Sequence, residues 1–260
     1  MDLELTGKRA LVTGATRGIG RAIAERLAGE GCALAICARD ADALDAAVDD
    51  LRGRGVAVHG RTVDVTDAPA LERFVAGAGE ALGGIDLLVA NAGGSAGGAR
   101  LEETNGEDWR TTFDLNVVHA AVAARAAATL MRSAGGGAMV FIASISGSRA
   151  QPRAQYAAAK AAEIHLAASL GRELGPDGIR VNALSPGSIL FPGGGWDQRR
   201  GQDPEAFDEW VRDEFPLGRL GSAEEVADVA CFLLSARASW INGTNVVVDG
   251  AQNQPGMAGY

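Results

Sequence analysis

A chain of 260 residues with 47% hydrophobic content is long enough to bury a full core in one domain, or at most two. Its 33 acidic residues against 24 Lys and Arg leave a net charge of -9, which argues against nucleic acid, whose binding needs a basic stripe. With no run of 18 apolar residues, no charged-then-apolar leader and three cysteines outside any metal-ligand spacing, neither a membrane span, secretion nor a metal centre is expected, and Cys32, Cys37 and Cys231 read as reduced core thiols of a cytoplasmic protein.

In chain order, apolar runs of strand length are expected at 9–13, 33–38, 56–63, 85–90, 138–143, 179–184 and 245–248. Most are continuous rather than alternating, as in parallel strands covered on both faces. Helical patterns fall between them at 18–28, 41–51, 68–82, 107–132, 154–174 and 223–235. Ser222-Ala-Glu-Glu225 reads as a capping box opening the last of these. This β–α alternation predicts an α/β, Rossmann-type doubly wound fold: a mostly parallel seven-stranded sheet flanked by helices, with a ligand crevice at the carboxyl ends of the strands.

The first strand runs into Gly14-Ala-Thr16-Arg17-Gly18-Ile19-Gly20 and then into a helix. Glycines there let the backbone turn tightly and let a pyrophosphate approach the helix N-terminus, where free N–H groups and the helix dipole favour anions. Further on, Tyr156 and Lys160 stand at i and i+4 on one helical face and can share a pocket. A free Tyr has a pKa of roughly 10. A cationic Lys within about 4 to 6 Å favours the phenolate and lowers it, so that the phenol can exchange a proton with a substrate oxygen.

Taken together, Thr13-Gly14-x3-Gly18-Ile19-Gly20, Asn91-Ala92-Gly93, Asn116, Ser144, Tyr156-x3-Lys160 and Pro186-Gly187 occur in the order and spacing of the short-chain dehydrogenase/reductase family, which the chain resembles from about residue 5 to 250. The closing segment, from Pro216-Leu-Gly-Arg-Leu-Gly221 to Val248-Asp249-Gly250, resembles the 3-oxoacyl-[acyl-carrier-protein] reductase-like branch. The resemblance implies one domain over 1–260, with a dinucleotide-binding core at about 5–185, a substrate lid at about 187–216 and a tail at 251–260. It implies an oxidoreductase acting on CH–OH or C=O groups with a nicotinamide cofactor. Tyr156 would be the general acid or base, Ser144 would hold the substrate oxygen, Lys160 would also bind the nicotinamide ribose, and Asn116 would anchor a water linking Lys160 to solvent. Ser144 is preferred over Ser146 because it begins Ser-Ile-Ser-Gly147, which resembles the family's Ser-x-x-Gly. By the same resemblance Asp64 and Val65 flank the adenine, Asn91, Ala92 and Gly93 line the nucleotide floor, and Pro186, Gly187 and Ile189 approach the cofactor from the lid side.

Cofactor choice rests on the end of the second strand, Cys37-Ala38-Arg39-Asp40. An acid there accepts from a ribose 2′-hydroxyl, whereas Arg accommodates a 2′-phosphate. Ala38 aligns with the position of the NAD-selecting acid, and Arg39 and Arg17 offer a phosphate two partners, so NADP(H) is preferred. NAD(H) stays possible, with Asp40 as the ribose acid; the favoured role of Asp40 is to cap the next helix.

The lid reads Ser188-Ile-Leu-Phe191-Pro-Gly-Gly-Gly-Trp196-Asp-Gln-Arg199-Arg200, and its three glycines form a candidate hinge. Family members often carry Thr at the position of Phe191 to bond the nicotinamide amide. Ser188 or a backbone group is the candidate replacement. Phe191, Trp196 and Trp210 are candidate walls for an apolar substrate, and Arg149, Arg153, Arg199 and Arg200 candidate partners of an anionic one. The substrate is a small-molecule carbonyl or alcohol, with 3-oxoacyl groups suggested by branch resemblance alone. A homo-oligomer, tetramer or dimer, is expected from the family's pairing of Tyr-bearing helices. The alternative function is a catalytically silent cofactor-binding protein with a regulatory or structural role.

Overall fold

The computed structural model describes residues 1–252. Nine strands and nine α-helices alternate over this range: β1 (Arg9–Thr13), α1 (Gly18–Gly29), β2 (Ala33–Ala38), α2 (Ala41–Gly53), β3 (Val58–Thr62), α3 (Ala68–Leu82), β4 (Leu87–Ala90), α4 (Gly106–Phe113), α5 (His119–Ser133), β5 (Gly137–Ile142), α6 (Ala154–Leu174), β6 (Ile179–Pro186), β7 (Ile189–Leu190), α7 (Gly195–Gln202), α8 (Pro204–Glu214), β8 (Gly221–Ser222), α9 (Ala223–Leu234) and β9 (Asn245–Val248). Seven of the strands form one sheet in the order β3-β2-β1-β4-β5-β6-β9, and every pairing in it is parallel. The order reverses direction beside β1, which places the crevice of a doubly wound sheet between the carboxyl ends of β1 and β4.

The continuous apolar runs are buried on both sides, as their composition requires. One core cluster joins Val12, Ile36 and Val140 to α1, α2 and α9. The other joins Leu11, Leu88 and Phe141 to α3, α5 and α6. Adjacent residues of one strand thus feed opposite cores, the period-2 geometry of a strand between two helical layers. Cys32, Cys37 and Cys231 are free and buried within these layers, and burial pushes the Cys37 thiol up to about 12. Among the described residues no helix is long and apolar enough to cross a membrane.

Local capping chemistry behaves as the sequence indicates. Asp40 accepts from the Ala43 amide at 3.0 Å and starts α2. Ser222 and Glu225 close their capping box at the start of α9. One expectation is corrected, and two segments with no predicted element gain structure. The helix expected over 107–132 is divided by a π-helical turn, Asp114–Val118, between α4 and α5. The segment expected as a lid carries the two helices α7 and α8, with a small core of Phe207, Val211, Phe215 and Leu220. The start of the tail packs on its own chain: Gln252 is buried, and its side chain bonds both the amide and the hydroxyl of Ser188. The remainder of the tail, 253–260, lies outside the described residues.

Candidate active site

A cleft of about 700 Å³ opens along the carboxyl ends of the strands. Its phosphate-side end is the glycine turn between β1 and α1. Gly18 has φ of 57°, a conformation that L side chains rarely adopt. A Cβ on Gly20 would lie 2.3 Å from Asn91 Nδ2 and 2.4 Å from the Gly14 carbonyl, so only glycine lets the turn close on the end of β4. The start of α1 therefore presents backbone N–H groups to the cleft with no side-chain cap. Such a cradle fits the pyrophosphate of a dinucleotide.

Thr13 ties the two halves of this floor together. Its hydroxyl accepts from the amides of Asn91 and Ala92, at 3.0 and 3.1 Å, while Asn91 Nδ2 donates to the carbonyls of Thr13 and Gly14. With both lone pairs engaged, Thr13 must donate its own proton to His119 Nε2, 2.9 Å away. The imidazole is therefore neutral, with its proton on Nδ1. Burial first, then the Lys160 charge, push His119 down to about 4, against the carbonyls of Asn116 and Leu115. The unfolded chain binds this proton near the ordinary histidine value, and the folded chain refuses it down to about 4. Stability is thus complete above pH ~6.5 and is lost as pH falls towards 4, by about 3 kcal/mol from this group. Urea titrations at pH ~7 and ~4 should show a smaller acid loss for His119→Gln than for wild type. Equal losses would remove His119 from the account.

At the opposite end, α6 brings Tyr156 and Lys160 to the cleft wall, with Lys160 Nζ 5.6 Å from the Tyr156 ring centre. Lys160 is almost wholly buried; its ammonium donates to the Ile142 carbonyl at 2.8 Å and lies 2.6 Å from Glu163 Oε2. Burial alone would push this ammonium down, but Glu163 and then Tyr156 outweigh it and hold it above the ordinary lysine range. Ser144 follows β5, lines the cleft and caps a short 3₁₀ turn by accepting from the Ser146 amide at 3.1 Å. Ser146 is not among the cleft-lining residues. The Ser-Ile-Ser-Gly pattern has a steric cause: a Cβ on Gly147 would sit 2.7 Å from the backbone of Lys160, so glycine lets the Ser144 loop rest directly on α6.

Asn116 explains the π-helical turn. Its Nδ2 donates to the Thr112 carbonyl at 2.6 Å and to the Gly94 carbonyl at 2.7 Å, while Oδ1 accepts from the Gly94 amide. The side chain replaces backbone bonds of the helix and cross-links it to the segment after β4. The point where a Gly93 Cβ would sit is 2.8 Å from Asn116 Oδ1 and 3.1 Å from Lys160 Nζ. Both polar groups thus face one small space that glycine keeps open.

Gly14, Thr16, Arg17, Ile19, Arg39, Val65, Ala92, Pro186, Gly187 and Ile189 also line the cleft, as expected. Arg17 and Arg39 are exposed, and among the described residues neither forms an ion pair. Asp64 departs from expectation. Its carboxylate accepts from the amide and hydroxyl of Thr66, which hold it below the ordinary range, and only its neighbours Val63 and Val65 line the cleft.

The expected lid residues and arginine candidates are placed as follows. The Ser188 hydroxyl is buried against Gln252 rather than free for the nicotinamide amide. Phe191 lines the cleft as expected, with its ring about 3 Å from where a Gly18 Cβ would be, against the glycine turn. Trp210 stacks inside the lid on Trp196, with ring centres 4.6 Å apart and the Arg199 guanidinium 4.5 Å from the Trp210 ring; of the pair only Trp196 reaches the cleft. Arg149 is held by Asp249 at 2.7 Å and by the Gln252 carbonyl, and Arg200 pairs with Asp197. Arg153 bonds Ser95 and the Gly97 carbonyl from an exposed position.

His119, Gln252 and Glu163 were missed as site residues. His119 and Glu163 each stand three residues beyond an expected site residue on a helix, Asn116 and Lys160, and that spacing was the available signal.

A parallel doubly wound sheet whose one cleft is lined by a glycine turn at a helix N-terminus, a Tyr–Lys pair and a serine fits a nucleotide-dependent α/β oxidoreductase. Residues 14–252 match a family model described as Enoyl-(Acyl carrier protein) reductase, and with this match the chain belongs to the short-chain dehydrogenase/reductase family, whose members oxidise CH–OH or reduce C=O groups. It is 38% identical over 247 residues to Dehydrogenase/reductase SDR family member 4 of Pongo abelii, covering 95% of this chain and 87% of that protein. The L-sorbose reductase of Gluconobacter frateurii, solved with NADPH and L-sorbose, superposes with a TM-score of 0.91 at 33% identity, covering 98% of this chain and 100% of that one. A 7α-hydroxysteroid dehydrogenase solved with NADH and 7-oxo glycochenodeoxycholic acid superposes with a TM-score of 0.89 at 32% identity, covering 98% and 97%.

Proposed function

We propose that this chain is an NADP(H)-dependent reductase of small-molecule ketones, working reversibly on the corresponding secondary alcohols. When bound, the nicotinamide supplies the hydride that goes to the carbonyl carbon. Tyr156 gives its phenolic proton to the carbonyl oxygen as the C–H bond forms, and takes it back in oxidation. Ser144 donates a hydrogen bond to that same oxygen while negative charge builds on it. Lys160 holds a positive charge beside Tyr156, and the space between Asn116 Oδ1 and Lys160 Nζ at Gly93 suits a water that returns the proton from solvent. Arg17 and Arg39 would pair a 2′-phosphate. The observation that supports this reading is that Ser144, Tyr156 and Lys160 line the same cleft as the glycine turn, with the Lys160 ammonium 5.6 Å from the Tyr156 ring centre.

The ligands of the two solved neighbours, a sugar and a 7-oxo bile acid, are both carbonyl compounds of very different size. They support the reacting group rather than one substrate, and Trp196 at the cleft favours a substrate with an apolar face. Homo-oligomer assembly through α6 belongs to the same reading, and a monomer mass by light scattering would overturn it.

The test is NADPH consumption across a panel of sugar, cyclic and steroidal ketones, run with Ser144→Ala and Ser146→Ala. Turnover should fall about 10²- to 10³-fold in Ser144→Ala alone. Loss confined to Ser146→Ala would transfer the role to Ser146. NADPH binding without turnover on any ketone would favour a cofactor-binding regulatory protein.

A further inference from the structure

Beneath Tyr156 and Lys160 lies a charged group that the proposed reaction does not use. Glu163 stands one turn beyond Lys160 on α6, is wholly buried, and places Oε2 2.6 Å from the Lys160 ammonium. Among the described residues no other donor reaches either carboxylate oxygen. A carboxylate in such a place is costly unless compensated. Burial pushes the Glu163 carboxyl up, and Lys160 pulls it back.

Among the described residues the elements packed on α6 offer no second counter-charge. Arg180 of β6 donates to the carbonyls of Leu233, Ser235 and Ile241. On α4, Asp108 accepts from the Asn105 amide, and Glu107 pairs with Arg110. On α5, Arg125 pairs with Glu72, Arg132 with Asp177, and His119 is the neutral partner of Thr13. Asp114 of the π-helical turn is exposed, and β5 and β9 carry no titratable side chain.

We infer that Glu163 is the counter-charge of the proton-transfer centre: its carboxylate fixes the Lys160 ammonium in place and, by offsetting that charge, keeps Tyr156 protonated to higher pH, which sets the site for proton donation to a carbonyl. The inference rests on the reading of Tyr156 as the acid. With Glu163 ionised, the Glu163–Lys160–Tyr156 group is neutral, and loss of the phenolic proton leaves a net negative charge in a buried site. Without the carboxylate the group starts one charge more positive and reaches neutrality by that loss, the phenolate becoming the partner of the ammonium. Glu163 does not line the cleft and acts through Lys160, so it is a positioning residue.

Tyr156 and Tyr260 are the only tyrosines in the chain, so tyrosinate absorbance of the cofactor-free protein, with Tyr156→Phe as blank, follows Tyr156 alone. In Glu163→Gln the tyrosinate curve should move to lower pH by about one unit or more, and the alkaline limb of kcat/KM for ketone reduction should move with it. Glu163→Asp, which restores the charge, should bring both back towards wild type. A curve that stays in place or moves to higher pH in folded Glu163→Gln overturns the inference. Should that variant not fold, Glu163→Leu removes the charge and fills the space with apolar atoms, and carries the same test. If the wild type reduces no ketone, the reading of the reaction fails, while the absorbance titration still decides the counter-charge.

Discussion

Tyr156→Phe is expected to lower kcat for ketone reduction by about 10²- to 10⁴-fold while leaving NADPH affinity little changed. The phenylalanine keeps the ring in the cleft wall and removes only the hydroxyl, so the transferable proton is lost and the packing of α6 is not. Stopped-flow hydride transfer and fluorescence titration of NADPH separate the two effects. A variant that kept turnover within a few-fold of wild type would move the proton donor elsewhere in the cleft, with Ser144 as the next hydroxyl on that wall. A variant that lost cofactor binding along with turnover would mean that the hydroxyl serves the cofactor rather than the substrate.

Arg39→Ala is expected to raise KM for NADPH by about 10- to 100-fold and to leave KM for NADH nearly unchanged. A hydrogen bond to a charged group is worth about 1.5–3 kcal/mol, and each 1.4 kcal/mol is tenfold. Arg39 follows β2 at the cleft, is exposed and forms no ion pair among the described residues, although its charge helps hold Asp64 down; its charge is available to a 2′-phosphate. Asp40, the rival NAD-selecting acid, spends its carboxylate on the Ala43 amide. Because both arginines are exposed, the NADPH preference should also weaken as salt is raised. Equal or better kcat/KM with NADH in the wild type would reverse the assignment and return the ribose to Asp40.

The parts of this site legible in the sequence are those whose cause is local. The glycine turn is needed because backbone approaches backbone, and glycine is the residue that permits it. Tyr156 and Lys160 share a face because of helical periodicity, and the caps at Asp40 and Ser222 act within three residues of themselves. The two helices at 195–214 escaped because that stretch is polar on average and buries only Phe207 and Val211, too few apolar positions to read as a periodic face. The π-helical turn escaped because its cause, the bond from Asn116 to the Gly94 carbonyl, joins residues 22 apart.

By itself the sequence determined the parallel α/β class and the glycine turn at Gly14 to Gly20, since each depends on patterns within one strand, turn or helix, and its resemblance to the family picked out Ser144, Tyr156 and Lys160 as the proposed catalytic set. Only the tertiary structure decided the electrostatics and the lid. Burial made Glu163 the counter-charge of Lys160 and made His119 the neutral partner of Thr13. Folding of the chain end turned Ser188 towards Gln252 and away from the cleft. The physical reason is common to all three: desolvation and hydrogen-bond satisfaction depend on which distant groups surround an atom, and sequence spacing does not record that.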